Sequence, residues 1–319
     1  MTDPLTVLVT GATGFIGKRL VPALQDAGHT VRAMTRHPDT YDGPGEGVFG
    51  DVSDPGTLAG PLDGADVAIY LVHALDDEDF ERKDADAAKA FGLAAAASGT
   101  RQIVYLGGLG KDDEELSAHL RSRRDVERFL GESGVPVTVL RAAIVVGAGG
   151  ISWEMTRQLV KNLPAMVVPK WAGTLTQPIG IDDVIRYLVG VVGVDEAMGR
   201  VYEVGGADRL TYLEMLQEAA EVMNGRRVPI IKAPVLTPGL SSHWLSLVTD
   251  VDTTTGRNLI DSMGTEVLQT DFAIRDLVPG EPLTYAESVR RAIADGTSSQ
   301  KASDQKASDP KASDREKKD

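Results

Sequence analysis

The 319-residue chain contains 47 acidic and 33 basic residues, and its formal net charge at pH 7 is −14. This negative charge disfavours a nucleic-acid backbone as the main partner. The chain has no cysteine, which excludes disulfides and cysteine nucleophiles and fits a reducing compartment. It also lacks both the roughly 18-residue apolar run of a membrane-spanning helix and the basic start of a signal peptide. We therefore expect a soluble, cytoplasmic protein without a transmembrane segment or a nucleic-acid partner.

Short β-branched runs alternate with helical stretches through the amino-terminal half of the chain. Strands separated by helices imply right-handed crossovers and a parallel sheet with helices on both faces. The sequence therefore predicts a doubly wound α/β fold. The predicted strands are 6–10, 30–35, 48–50, 66–72, 102–106 and 137–141, and the predicted helices are 17–27, 53–62, 79–98 and 122–132.

The segment GATGFIG, residues 11–17, follows the first strand directly and opens a helix. Gly11 permits a tight turn, Gly14 lets the backbone approach a pyrophosphate, and Gly17 allows the helix to pack closely on the strand. The helix N-terminus adds free N–H groups and positive partial charge for an anion. The turn therefore predicts a dinucleotide site, the alternative being a glycine-rich turn without a ligand. Its further predicted contacts are Thr13, Phe15 and Ile16.

The end of the second strand, at Thr35 and Arg36, indicates which dinucleotide is bound. An NAD site usually places Asp or Glu there to bind the ribose 2′-hydroxyl. Here a guanidinium stands in its place and is able to grip a 2′-phosphate. NADP(H) is therefore favoured, with NAD(H) still possible, and the alternative is that Arg36 points into solvent. Arg19 and His37 are secondary candidates for the same phosphate.

Asp51 and Val52 follow the third strand and suit an adenine ring. A carboxylate accepts from the exocyclic amine, and an apolar side chain packs against the ring. Asp51 is alternatively a helix cap, although Ser53 and Asp54 precede Pro55 and suit that position better.

The alternation of strands and helices becomes less regular after Gly147. We expect residues 1–147 to form the nucleotide-binding domain, and 148–296 to supply the remainder of the sheet and a smaller substrate cap. The five-residue repeats that begin at Lys301, Lys306 and Lys311 carry no hydrophobic periodicity. Residues 297–319 are therefore expected to be a disordered tail.

Taken together, six motifs resemble the atypical, extended-like branch of the short-chain dehydrogenase/reductase superfamily, near its NmrA-like and complex I accessory-like members. The resemblance implies a Rossmann domain that binds NAD(P), with adenine near Asp51 and Val52. It places the second ribose and the nicotinamide near Leu71, Val72, His73 and Gly107, and near 142–144. The motifs are GATGFIG, GDVSD at 50–54, AIYLVHA at 68–74, IVYLGGLG at 103–110, LRAAIVVG at 140–147 and QPIGIDDVIRYLVG at 177–190.

The chain departs from this superfamily at the catalytic pair. Active members carry Tyr-x-x-x-Lys, in which the lysine lowers the tyrosine pKa for proton transfer. The corresponding spacing here gives His119 and Arg123, and no tyrosine. His119 is a candidate acid or base, and Arg123 a candidate for binding ribose or a substrate anion. The alternative is a surface histidine at a helix start beside an arginine that only clamps the cofactor.

Two functions remain open at this point. The first is an NADP(H)-dependent oxidoreductase or epimerase-like enzyme acting on an unidentified small molecule. The second is a sensor or assembly protein that holds the nucleotide without turnover. No metal site is predicted, because the five histidines show no paired ligand spacing. The length of the cap region favours the enzyme by a small margin.

Overall fold

The fold is built on a sheet of seven parallel strands. The computed structural model describes residues 3–73, 79–110, 116–162, 165–168, 170–232 and 262–308. The seven strands are β1 (Thr6–Val9), β2 (Thr30–Thr35), β3 (Glu46–Phe49), β4 (Val67–Tyr70), β5 (Gln102–Gly108), β6 (Val137–Ala142) and β11 (Val201–Val204). Six shorter strands are β7 (Val145–Val146), β8 (Met166–Val168), β9 (Leu175–Thr176), β10 (Ile179–Gly180), β12 (Leu210–Thr211) and β13 (Ile230–Lys232). They pair outside the main sheet as β7 with β10, β8 with β13 and β9 with β12.

Helices cover the sheet and continue beyond it. They are α1 (Gly17–Asp26), α2 (Ala59–Leu62), α3 (Phe80–Ala97), α4 (Ala118–Gly131), α5 (Ile151–Asn162), α6 (Ile181–Gly190), α7 (Tyr212–Asn224), α8 (Ile274–Leu277) and α9 (Tyr285–Ser308). Single 3-10 turns lie at Pro38–Thr40, Pro55–Thr57, Lys170–Gly173 and Asp195–Ala197. Among the described residues, no helix is long and apolar enough to cross a membrane.

The strand order of the main sheet is β11-β6-β5-β4-β1-β2-β3. Without β11 this is the doubly wound Rossmann order, in which the chain reverses direction across the sheet between β1 and β4. Ligands of such sheets bind in the crevice at the carboxyl ends of the strands beside that reversal. The doubly wound α/β prediction is confirmed, and the crevice is expected where β1 and β4 end.

Both faces of the sheet are buried. On β1, Val7 and Val9 join one hydrophobic cluster with α1 and α6, whereas Leu8 joins a second cluster with α2, α3 and α4. A strand buried on both faces is apolar throughout instead of alternating. The run TVLV therefore forms a central strand, and the glycine turn that follows it lies at the centre of the sheet.

A third hydrophobic cluster lies in the carboxyl-terminal part of the chain. Trp153 of α5, Tyr212 and Met215 of α7, and Tyr285 and Val289 of α9 pack together there. The same part of the chain returns to the main sheet, because β11 pairs in parallel with β6 from Val201 opposite Val139. Residues beyond 147 thus contribute both a strand and a separate packed layer.

Most predicted boundaries shift by at most two residues, and three differ by more. The predicted helix 53–62 is a 3-10 turn at Pro55–Thr57 followed by the short helix α2 at Ala59–Leu62. Helix α4 begins at Ala118 and not at Ser122, because the Ser117 hydroxyl accepts a hydrogen bond from the Leu120 amide and caps the helix. Helix α9 runs to Ser308, so residues 297–308 are helical where disorder was expected. This stretch contains no proline, and its Ala, Lys and Gln residues favour helix. The remaining tail, 309–319, lies outside the described residues.

Candidate functional site

The glycine turn lies at the carboxyl end of β1, and its three glycines leave little space for a side chain. Gly11 has a φ of +63°, in the left-handed region that favours glycine. A Cβ on Gly14 would stand 3.1 Å from the Gly11 carbonyl oxygen. A Cβ on Gly17 would stand 2.6 Å from the Ala12 Cα. The turn therefore has no space for a side chain at Gly17 and little at Gly11 and Gly14.

This tight turn leaves backbone donors unused. The Gly14 amide donates to the Gly11 carbonyl, and the Lys18 amide donates to the Gly14 carbonyl as the helix begins. Within the described part of the chain, the amides of Thr13, Phe15 and Ile16 donate no hydrogen bond. Free N–H groups at a helix N-terminus form a site for phosphate. The turn thus fits the pyrophosphate of a dinucleotide.

A cavity of about 700 Å³ opens beside this turn, over the ends of β1, β2, β3 and β4. Its volume is within the usual range for small-molecule sites, roughly 300–1,000 Å³. It brings together seven of the residues predicted to bind the cofactor: Gly11, Thr13, Arg36, Asp51, Val52, Val72 and His73. Gly14 and Gly17 do not line this cavity but shape the turn beside it.

Arg36 and Asp51 both line this first cavity. Arg36 is exposed, and His37 lies next to it on the wall. The pKa of Asp51 is below its ordinary value, mainly because the Ser53 hydroxyl donates to its carboxylate at 2.7 Å, with a smaller contribution from the Arg36 charge. Asp54, not Asp51, caps the following 3-10 turn, since its carboxylate accepts from the Gly56 amide. Asp51 therefore keeps a charged carboxylate on the cavity wall.

Arg19, a secondary candidate for binding the phosphate, instead forms hydrogen bonds to backbone carbonyl groups. Its guanidinium donates to the carbonyl oxygens of Phe15 and Ala148 at 3.1 and 2.9 Å. It also lies over the Phe15 ring, 5.1 Å from the ring centre. These contacts tie α1 to the chain after β7, and Arg19 does not line the first cavity.

A second cavity, of about 290 Å³, lies over the ends of β4, β5 and β6. Apolar side chains form most of its wall, and Tyr212 reaches it from α7. It contains the remaining predicted site residues, which are Phe15, Ile16, Leu71, Gly107, His119 and Arg123. His73 borders both cavities, so the two spaces meet at the end of β4.

His119 and Arg123 both enter the second cavity from α4. His119 is partly buried and its Nδ1 is enclosed without a hydrogen-bond partner, so the alternative of a surface histidine is wrong. Burial lowers its pKa to about 4. His119 is therefore uncharged at neutral pH and is a poor proton donor there. The prediction of an acid or base at this position assumed an unperturbed pKa, which the buried side chain does not have.

Arg123 is 8% exposed and forms no ion pair within the described residues. Its Nη1 is buried without a hydrogen-bond partner. Burial lowers its pKa to about 9, so the side chain remains a cation at neutral pH. An unpaired buried cation is costly, and an oxygen-rich ligand group would offset that cost.

The buried carboxylate of Asp84 was not anticipated from the sequence. It lies on α3 and lines the first cavity, 4% exposed, and it accepts a hydrogen bond from the Ser122 hydroxyl at 3.1 Å. Phe80, Asp84, Ala87 and Phe91 share the buried face of the helix. The sequence signal for it is an acidic residue that falls, at helical spacing, among the apolar residues of one helix face.

Comparison with known proteins agrees with this geometry. A sequence model of the NAD(P)H-binding family matches residues 11–161. The ceramide reductase of Caulobacter vibrioides is 31% identical over 257 residues, which are 76% of this chain and 78% of that protein. The (4-alkanoyl-5-oxo-2,5-dihydrofuran-3-yl)methyl phosphate reductase of Streptomyces griseus is 29% identical over 229 residues, covering 68% and 73%.

A solved structure shares the fold at lower identity. The NADPH-dependent quinone oxidoreductase of Escherichia coli, solved with NADPH, superposes with a TM-score of 0.74 at 19% identity. The match covers 89% of this chain and 98% of that protein. The glycine turn, the two cavities and these similarities place the chain in the NAD(P)H-binding family of reductase-like Rossmann proteins, within the atypical short-chain dehydrogenase/reductase superfamily.

Proposed function

We propose that this protein is an NADP(H)-dependent reductase of an apolar carbonyl compound. The observation that carries the proposal is the pair of cavities that meet at His73. The first combines the glycine turn with Arg36, and the second is mainly apolar and lies beside it. Bound reduced nicotinamide would supply a hydride to a compound in the second cavity. The names of the two reductase relatives support the same class of reaction.

The preference for NADP(H) rests on the end of β2. Thr35 is the last residue of that strand, and the exposed Arg36 follows on the cavity wall. A carboxylate at this point would repel a 2′-phosphate, whereas a guanidinium binds it through charge-assisted hydrogen bonds. Reduction is favoured over epimerisation because a mainly apolar cavity offers few partners for the hydroxyl groups of a sugar.

Fluorescence titration with NADPH and NADH tests the cofactor assignment. Arg36→Ala is expected to weaken NADPH binding by about tenfold or more, because a charge-assisted contact is lost, and to leave NADH binding unchanged. Arg226→Ala is the matched control, since Arg226 is also exposed and lines neither cavity. Equal weakening of NADPH and NADH by Arg36→Ala would contradict the preference for the phosphate.

Turnover distinguishes this reductase from a protein that only holds the nucleotide. The second function is favoured by one observation: the positions of the usual Tyr-x-x-x-Lys pair hold an uncharged histidine and an arginine. Oxidation of NADPH, followed at 340 nm with 9,10-phenanthrenequinone as an apolar carbonyl probe, is expected of the reductase. Tight NADPH binding without oxidation by this probe or a wider carbonyl panel would favour the nucleotide-holding function.

A further inference from the structure

His73 occupies a special position because it is the one described residue that lines both cavities. It directly follows the end of β4, next to Leu71 and Val72, at the crevice where the sheet changes direction. Any cofactor that extends from the first cavity into the second passes this side chain. The imidazole is therefore placed where cofactor and substrate would meet.

A buried carboxylate stands behind the imidazole. The Asp84 Oδ2 lies 3.8 Å from the His73 Nδ1, and both side chains are largely buried. Asp84 is fixed in turn by the Ser122 hydroxyl, which donates to the same oxygen at 3.1 Å. The carboxylate thus approaches the Nδ1 edge of the ring and leaves Nε2 on the opposite edge.

The remaining neighbours of His73 do not use its nitrogens. The Tyr105 ring of β5 packs edge-on against the imidazole, with ring centres 5.9 Å apart, and Arg123 of α4 lines the same cavity. The Tyr105 hydroxyl donates to the Arg123 carbonyl oxygen at 3.3 Å. In the described part of the chain, neither nitrogen of His73 makes a hydrogen bond, and Nδ1 is buried. Buried polar atoms without partners are rare and often mark a functional site.

The other titratable groups of the second cavity are poor proton donors. Burial lowers the pKa of His119, so this residue is uncharged at neutral pH. Burial raises the pKa of Tyr212 above its ordinary value, and Arg123 stays protonated and does not release a proton. His73 alone among these four has a carboxylate beside it, at 3.8 Å from its Nδ1.

We propose that His73 is the catalytic proton donor of the reduction and that Asp84 is the positioning residue that orients its ring. This inference rests on the proposed function and assigns the proton transfer that the usual Tyr-x-x-x-Lys pair would perform. The substrate is an apolar ketone or quinone whose carbonyl oxygen faces the Nε2 of His73.

The step balances in electrons and protons. Bound reduced nicotinamide would supply a hydride, which carries both electrons for the new C–H bond as the carbonyl π bond breaks toward oxygen. The Nε2–H bond of the protonated His73 then breaks and its proton forms the O–H bond of the alcohol. The neutral imidazole regains a proton from water.

The first test needs no cofactor. The ¹⁵N spectrum of the histidine side chains is recorded on the full chain, and His73 is assigned by its absence in His73→Gln. We expect the neutral ring to carry its proton on Nδ1, facing Asp84, and to lose this tautomer preference in Asp84→Asn. Asp125→Asn is the control, because Asp125 lies on α4 and lines neither cavity. An unchanged tautomer of His73 in Asp84→Asn would overturn the proposed positioning role of Asp84.

The second test measures kcat for 9,10-phenanthrenequinone at saturating NADPH, so that changes in cofactor affinity do not contribute. His73→Gln is expected to lower kcat by about 100-fold or more, as for loss of a general acid. Asp84→Asn is expected to lower kcat by a smaller factor and Asp125→Asn to leave it unchanged. Wild-type kcat in His73→Gln would overturn this inference alone, whereas failure of the wild-type protein to bind NADPH would overturn the proposed function.

Discussion

The carbonyl oxygen of Leu71 lies 3.3 Å from the position that a Cβ on Gly11 would occupy. Gly11 follows β1 and Leu71 follows β4, so this contact joins the two strand ends at the point where the sheet reverses direction. The Leu71 amide is also held, since it donates to the Thr10 hydroxyl at 2.9 Å. A side chain on Gly11 would therefore press on a Leu71 backbone that is held in place.

Gly11→Ala is expected to lose both stability and NADPH binding. The left-handed φ costs a non-glycine residue about 1–2 kcal/mol, and the added methyl group presses on Leu71. Gly28→Ala is the matched control, because Gly28 has a φ of +93° but open space around it. Thermal unfolding and NADPH titration should show that both variants are less stable and that only Gly11→Ala binds NADPH poorly. Normal NADPH binding by Gly11→Ala would argue against the assigned turn.

Arg123→Met is expected to stabilise the free protein while it impairs the site. The guanidinium is buried without an ion pair in the described residues, so an apolar side chain of similar length removes a desolvation cost. Thermal unfolding without ligand should show an unchanged or higher Tm, and the stabilisation by NADPH or by substrate should be smaller. A large fall in the Tm of the free protein would indicate a purely structural role for Arg123.

His119 is expected to make the protein sensitive to mild acid. Its folded pKa of about 4 is below the unfolded value of 6.5, so the unfolded state binds the extra proton between these pH values. The uncharged imidazole contributes fully to the free energy of unfolding above pH 6.5, and this contribution is lost as the pH falls toward 4. The loss at pH 5 is about 2 kcal/mol. Urea unfolding at pH 7 and pH 5 should show a smaller loss for His119→Gln than for the wild-type protein. Equal losses would contradict the buried, uncharged imidazole.

Local patterns predicted the nucleotide-binding half of the fold well. The strand β2 has the expected bounds, and the glycine turn, α1 and the order of strands and helices follow from periodicity and from glycine placement. The strand β11 was not identified, because it is short and depends on pairing with β6, about 60 residues earlier in the chain. Propensity alone does not detect such pairings.

The site was predicted only in part for a similar reason. Residues that follow the strands, such as Arg36 and His73, were located because parallel strands end at one edge of the sheet. The contact between His73 and Asp84 joins β4 to α3, and the burial of His119 depends on a cap at Ser117 that starts α4 one turn early. Such relationships are set by packing between elements, which a linear pattern does not contain.

The pairing of β11 with β6 joins a distant part of the chain to the nucleotide-binding half. The buried Thr138 hydroxyl donates to the Ala197 carbonyl, and the buried Gln102 amide donates to the Val191 carbonyl. A chain that ended near residue 147 would lack these two hydrogen bonds and would leave β6 as an edge strand with unpaired backbone groups. Residues 191–204 therefore complete the sheet of the nucleotide-binding half, although they lie about 50 residues beyond its other strands.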